Sequence, residues 1–288
     1  MTAPLRVPAA PDTPASPYVA YDVRRLSYAS TFPDPWKART IRALEWMTGK
    51  ATLLRLIRRF EAEGVEHGQA FFDHAFEVMG IDVAAAADRV ARIPRAGPVV
   101  VVANHPRGLV DGMALAVLIG RVRRDYRILT RSLLTGIPEI ERFMIPVPFA
   151  HEPGALAGNL AARRAARAQL AAGGVVALFP SGAVAASPSA FGAPEEGAWS
   201  PFTAKLIRES GATVLPIRFP GANSRAYQVA NRVSPTLRQG LLLHEVVRAL
   251  NRPLAAHVGA PIPPEAWRAR AGDPRAMMAW LRATTLVA

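Results

Sequence analysis

No cysteine occurs among the 288 residues. Disulfides, a thiol nucleophile and thiolate metal sites are thereby excluded, and the composition fits a reducing compartment. Acidic side chains are scarce as well: 22 Asp and Glu face 35 Lys and Arg, a formal charge of +13. An excess of that size favours an anionic partner, whether membrane headgroups, nucleic acid or an acidic carrier protein. No aromatic-rich basic strand or helix-turn-helix pattern accompanies it, so nucleic acid is not expected. Missing too is any apolar run of the ~18–20 residues that a membrane span requires. The first twenty residues, punctuated by Pro4, Pro8, Pro11, Pro14 and Pro17, hold no apolar stretch of signal-peptide type, and residues 1–35 are expected to be disordered. These absences point to a cytoplasmic protein, soluble or peripheral on the inner membrane.

Half of the residues are apolar, enough for one large core or two modest domains. No low-complexity tract or charge block marks a linker, and no internal repeat is visible. From Trp36 to Phe60, Ile41, Leu44, Met47, Ala51, Leu54 and Ile57 recur at helical steps. Lys37, Arg39, Arg42, Lys50, Arg55, Arg58 and Arg59 are opposed by Glu45 alone, a local charge of +6. A basic amphipathic helix of this kind lies in a membrane interface or packs on the domain with a solvated face. Residues 36–92 are therefore expected to form a helical, membrane-facing extension, with further helices near Gly68–Met79 and Ala84–Ala91.

Beyond Pro94 strands and helices alternate. Strands are expected at Pro98–Ala103, Tyr126–Thr130, Ile145–Phe149 (an edge, given its two prolines), Val175–Phe179, Thr213–Phe219 and Ala255–Gly259. Helices are expected at Leu109–Val122, Gly154–Ala172, Pro201–Ser210 and Leu237–Leu250. Residues 93–288 thus read as an α/β domain with a central, mostly parallel sheet flanked by helices. The segments Asn104–Asp111, Pro180–Ser187 and Pro220–Arg225 follow strand ends. Ligands of open α/β sheets bind there, so the three are expected to meet around one cleft.

His105 stands on a turn between a buried strand and a helix, with Pro106 and Gly108 beside it, and Asp111 follows six residues on. A carboxylate at that place can bond one imidazole nitrogen and leave the other as a general base for a hydroxyl or amine attacking a thioester. Such a pair also serves as a simple helix cap and hydrogen bond, and the residues alone leave both readings open.

Asn104-His105 followed by an acid, then Phe179-Pro180-Ser181-Gly182, then Val214-Leu215-Pro216-Ile217, resembles in order and spacing the glycerolipid acyltransferase superfamily, which includes the bacterial 1-acylglycerol-3-phosphate acyltransferases. The wording is nearer to its hemolysin-like and ornithine-lipid-synthesis branch, and the similarity runs from about Pro94 to Pro264. The resemblance implies His105 as general base, Asp111 as its orienting partner and Asn104 as a brace of the turn that carries Arg107 and Gly108. It implies that Phe179, Pro180, Ser181 and Gly182 contact the acyl acceptor. Pro216 with Gly221, Ala222, Asn223, Ser224 and Arg225 would shape the cleft wall. The implied donors are acyl-CoA or acyl-carrier-protein thioesters, the acceptor a lysolipid, and the surface of action an anionic membrane. No metal or other cofactor is implied.

Five residues separate His105 from Asp111, where the superfamily's commonest motif has four; the branch shares the longer spacing. Ser181 replaces the usual Glu of the third motif, which turns the expectation from lysophosphatidic acid toward another acceptor, such as a lyso-amino-acid lipid. The segment Ile145–Phe149 offers no Arg, so phosphate recognition would fall to Arg107, Arg131 or Arg225. A transition-state oxyanion would take backbone N–H donors near Gly182.

Rival sites are thin. Ser181 lacks the Gly-x-Ser-x-Gly setting of a hydrolase nucleophile, and Gly173-Gly174 reads as a helix stop. His67, His74, His151, His244 and His257 show no metal-ligand spacing with acids except for His67 and His74, seven residues apart, which read as solvated or packed rather than as zinc ligands. Arg121, Arg123, Arg124, Arg127 and Arg131 line an anion groove or merely a solvated helix end. The alternative function is a non-catalytic lipid-binding or membrane-recruitment protein with the same fold.

Overall fold

The computed structural model describes residues 20–288 apart from 23, 25, 30, 31, 132–136, 149–151, 153, 190 and 191. The proline-rich start, Phe149 and His151 lie outside the described residues. Within the stretch expected to be disordered, Leu26, Ser27 and Ala29 are buried.

A long helix opens the fold and is broken once. α1 (Pro35–Glu45) and α2 (Ala51–Glu63) are joined by a π turn at Trp46–Lys50. α3 (Gln69–Met79), β1 (Val83–Ala84) and α4 (Ala87–Val90) follow. Then come β2 (Val99–Ala103), α5 (Leu109–Gly120), β3 (Tyr126–Thr130), β4 (Met144–Pro146), α6 (Ala155–Ala171), β5 (Val175–Leu178), α7 (Pro201–Ser210) and β6 (Thr213–Arg218). The chain ends through α8 (Arg225–Val233), α9 (Pro235–Gly240), α10 (Leu242–Ala249), β7 (Leu254–Ala255), β8 (His257–Val258), α11 (Pro264–Arg268) and α12 (Pro274–Leu286).

The main sheet runs β4–β3–β5–β2–β6–β8, parallel except for β8 at the edge. Its middle strands are short runs of Val, Ala, Leu and Ile, buried on both faces as a helix-covered parallel sheet requires. Alternation along β2 divides the core. Val99, Val101 and Ala103 point to one layer with Leu53, Leu54, Phe72, Phe76 and the apolar α5. Val100 and Val102 point to the other, with residues of α6, α7 and α12. α2 and α3 therefore share the core of the sheet.

Sequence and structure differ at several elements: α11 and α12 have no counterpart among the expected helices, and β1 takes the start of the helix expected at Ala84–Ala91. The helix expected over Leu237–Leu250 is two, α9 and α10, separated at Leu241. The strand expected at Ala255–Gly259 is split between β7, which pairs with β1, and β8, which pairs with β6. The segment after Asn223 is not open loop but α8, capped by Ser224, whose Oγ accepts from the Tyr227 amide at 3.1 Å.

Candidate active site

Parallel strands place their carboxyl ends on one rim, and β2 lies at the middle of it. The Asn104 side chain extends β2 beyond its last residue: Nδ2 donates to Phe219 O at 2.8 Å and Oδ1 accepts from Phe219 N at 2.7 Å. This reciprocal pair imitates a strand ladder between the ends of β2 and β6, and it fixes where the next residue begins.

That residue is His105. Its Nδ1 lies 3.1 Å from Asp111 Oδ2. The same oxygen accepts from Arg107 N at 2.7 Å and Gly108 N at 3.1 Å. Asp111 is fully buried in the first turn of α5, and its Oδ1 has no hydrogen-bond partner among the described residues. Gly108 takes φ +80° to bring the chain back over the carboxylate, a conformation that favours glycine and absorbs the five-residue spacing. On its other side the imidazole stacks on Phe179, with centroids 3.9 Å apart and planes at 18°. With Nδ1 engaged by the carboxylate, Nε2 is the nitrogen left for chemistry.

A fourth group completes the setting. The His105 amide donates to Glu196 Oε2 at 3.0 Å, and Trp199 Nε1 donates to the other oxygen at 3.1 Å. Glu196 lies some ninety residues downstream, in a loop without helical or strand rhythm. The sequence reading did not single it out; the one signal was its place in the pair Glu195-Glu196 of an acid-poor chain.

His105 borders a cavity of about 470 Å³. Leu109, Leu129, Val147, Leu178, Phe179 and Leu242 give it apolar walls, while Arg131, Arg163 and Arg238 add three cations, and among the described residues no carboxylate lines it. Arg163 lies 4.9 Å over the Phe202 ring, and Arg238 donates to Asn231 Oδ1 at 3.1 Å. Tyr28 and Tyr227 also reach the wall, and burial raises both hydroxyls, that of Tyr227 to about 12, so both stay neutral. Arg163, Arg238 and the tyrosines were missed from sequence because each lies on an ordinary amphipathic or irregular segment.

The three loops expected to meet do so only in part. Gly108 of the first and Pro180, Gly182, Ala183 and Val184 of the second line the cavity with His105. Ser181 does not; its hydroxyl donates to Ala183 O at 2.9 Å. Gly182 cannot offer its amide to an oxyanion, because that N–H donates to Phe179 O at 2.9 Å. Among the described residues the amides of Ala183 and Val184 make no hydrogen bond. Asn223, Ser224 and Arg225 are also absent from this cavity. Ser224 is pulled toward α10 by Glu245, which accepts from both its amide and its hydroxyl, and Arg225 donates to Gly192 O. Asn223 and Arg107 line a smaller second pocket.

The arginine run 121–131 makes no single groove. Arg123 is buried before β3, at the opposite end of the sheet, where it donates to the carbonyls of Pro94, Gly97 and Gly173 and pairs with Asp125. Only Arg131, after the far end of β3, reaches the cavity. Among the described residues no group of three or more His, Cys, Asp or Glu could hold a metal.

No family model matches the chain, and no curated protein matches it in sequence. Among solved structures it is similar to the 1-acyl-sn-glycerophosphate (LPA) acyltransferase PlsC from Thermotoga maritima. The two share 16% identity over 89% of this chain and 82% of the other, with a TM-score of 0.48.

Proposed function

We propose that the chain is an acyltransferase, moving a fatty acyl group from a thioester donor (acyl-CoA or an acyl-carrier protein) to a lysolipid or amino-lipid acceptor. One observation carries the reading: a histidine whose Nδ1 is held by a buried carboxylate and whose ring is stacked on Phe179 borders a cavity with apolar walls and three arginines. The walls suit an acyl chain and the arginines an anionic headgroup or donor.

In the reaction, His105 Nε2 takes the proton of the acceptor's hydroxyl or amine as that oxygen or nitrogen attacks the thioester carbonyl. Asp111 holds the Nδ1–H and stabilises the imidazolium that forms. The oxyanion takes amide donors of the Ala183–Val184 segment. Collapse breaks the C–S bond, and the imidazolium returns the proton to the departing thiolate. No covalent enzyme intermediate is needed.

The proposed place of action is an anionic membrane surface, on the cytoplasmic side. Trp36, Trp46 and Met47 are exposed along α1 and the π turn, 73%, 56% and 82% respectively, among Lys37, Arg39 and Arg42. Arg39 lies 5.2 Å over the Trp36 ring, so apolar and cationic groups share one patch, as interfacial anchoring requires. No described helix is long and apolar enough to cross a membrane.

The test is transfer of a labelled acyl group from acyl-CoA and acyl-carrier protein to a panel of lysolipids and amino lipids. His105→Ala is expected to lower transfer by about 10²–10⁴ without loss of fold, and Asp111→Asn to lower it strongly. Near-normal turnover by folded His105→Ala protein would sink the mechanism, and lipid binding without transfer by the wild type would favour a non-catalytic lipid binder.

A further inference from the structure

Behind the His105 turn lies a second pocket of about 190 Å³, which shares no wall residue with the larger cavity. Arg107, Arg248, Arg252, Asn223 and Glu245 supply its polar lining. Arg107 crosses the face of Gly221 so closely that a Cβ there would sit 2.3 Å from its Nη2. Burial of a guanidinium is costly unless its N–H groups are satisfied. Yet Arg107 Nη1 is buried and has no acceptor among the described residues. Asn223 is 93% buried, and its Nδ2 makes no hydrogen bond of good geometry among the described residues, although the Tyr227 hydroxyl is near enough for Asn223 to lower its pKa.

The one carboxylate of the pocket is already engaged. Glu245 accepts from the Ser224 hydroxyl and, at 2.9 Å, from the Ser224 amide, while Arg248 Nε stands 3.7 Å away. Arg252 makes no ion pair among the described residues. Three guanidinium groups against one carboxylate leave two net positive charges around a space lined by Arg107, one of whose buried guanidinium nitrogens has no acceptor among the described residues.

We propose that this pocket binds a phosphate group. A phosphate dianion matches the net charge, its oxygens suit the forked guanidinium donors, and the volume leaves room for an ester substituent. The site adjoins the His105–Asp111 pair through a single residue: the Arg107 amide donates to Asp111 Oδ2 while its guanidinium faces the pocket. A bound phosphate therefore also steadies the turn that carries His105. Its source is either free inorganic phosphate or the phosphates of a nucleotide-bearing ligand; only the second rests on the acyl-transfer reading.

Titration calorimetry of the full chain in chloride buffer of constant ionic strength tests the site, with inorganic phosphate and coenzyme A as probes. Saturable one-to-one phosphate binding is expected, weakened about tenfold or more by Arg107→Gln and by Arg252→Gln, and unchanged by Arg163→Gln in the larger cavity. Arg252 is exposed, so its variant keeps the test open if Arg107→Gln fails to fold. Absence of saturable phosphate binding, or binding insensitive to Arg252→Gln, overturns the proposal, as does loss through Arg163→Gln instead. Coenzyme A binding more than tenfold tighter than phosphate, with the same dependence on Arg252, identifies a nucleotide phosphate; equal or weaker binding identifies the free ion, and both outcomes support the site. The same titration on His105→Ala protein reads the pocket without any transfer activity, which separates failure here from failure of the proposed reaction.

Discussion

At the scale of single residues, His105 is defined by what surrounds its backbone as much as by its ring. Its amide is held by Glu196 and its carbonyl accepts from Ala185 N at 2.8 Å, so two distant loops fix the main chain while Asp111 and Phe179 fix the ring. Orientation of this kind matters because small displacements of a general base are costly to rate. In the proposed reaction Glu196 would thus serve as a positioning residue. Glu196→Ala is expected to lower kcat about tenfold or more with KM little changed, and Glu196→Gln, which keeps an acceptor, to restore most of it. Steady-state kinetics beside a thermal melt distinguish this from a merely structural role, which would lower Tm and leave kcat of the folded fraction intact. The legibility of the site follows the same division. His105, Gly108 and Asp111 are close neighbours in the chain and chemically distinctive, and Phe179 stands at the end of an expected strand in the Phe179-Pro180-Ser181-Gly182 segment. Glu196, Arg163 and Arg238 reach the site only because the chain returns to it.

At the scale of elements, four helices begin with the same local chemistry. Asp34-Pro35, Ser200-Pro201, Ser234-Pro235 and Asp273-Pro274 each combine a capping side chain with a proline whose missing N–H costs nothing in the first turn. The signal at Asp273 was present although the helix after it was not anticipated, and Ser234-Pro235 marks the start of α9 two residues before the expected helix. The break between α9 and α10 carries no such mark; it comes from packing of α9 on α1 and α10 on the π turn. Segment 26–29 is pinned to α1 by Glu45, which accepts from Ser27 Oγ at 2.6 Å and Tyr28 N at 2.8 Å. Burial, the largest influence, raises the Glu45 carboxyl above its ordinary value, against the lowering effect of those hydrogen bonds. The folded state then holds this proton more tightly than the unfolded chain. The contribution is full below the ordinary carboxylate pKa and is lost as pH rises through the raised value. Glu45→Gln, which preserves both contacts, is expected to be stabilising relative to wild type at about pH 8 and near neutral at about pH 4. Urea midpoints at the two pH values check the sign.

At the scale of the whole molecule, charge and shape act together. The excess of +13 is a property of composition, but the exposed Trp36, Trp46 and Met47 beside Lys37, Arg39 and Arg42 give it a place. Each basic residue near an anionic surface is worth about 1 kcal/mol at most, an attraction that salt screens, whereas the aromatic contribution is not screened. Sedimentation with anionic vesicles is therefore expected to fall several-fold between low and high salt. Replacing Trp36 and Trp46 by Ser is expected to weaken binding at all salt concentrations. Binding only to neutral vesicles, or insensitivity to both changes, would contradict the proposed surface.

The sequence by itself determined the α/β class, the buried parallel strands and the His105–Asp111 turn, because each is written in local terms: β-branched runs, periodicity, and side chains within six residues of one another. Only the tertiary structure decided which loops share the cavity. Asn104 joins β2 to Phe219 across 115 residues, yet the loop beyond Phe219 turns away, because Ser224 is drawn to Glu245 on α10. That contact puts Asn223 in a second pocket beside Arg107 and leaves the first to arginines from α6, α9 and the end of β3. Hydrogen bonds between residues so far apart depend on how helices dock on the sheet, and no spacing along the chain encodes that.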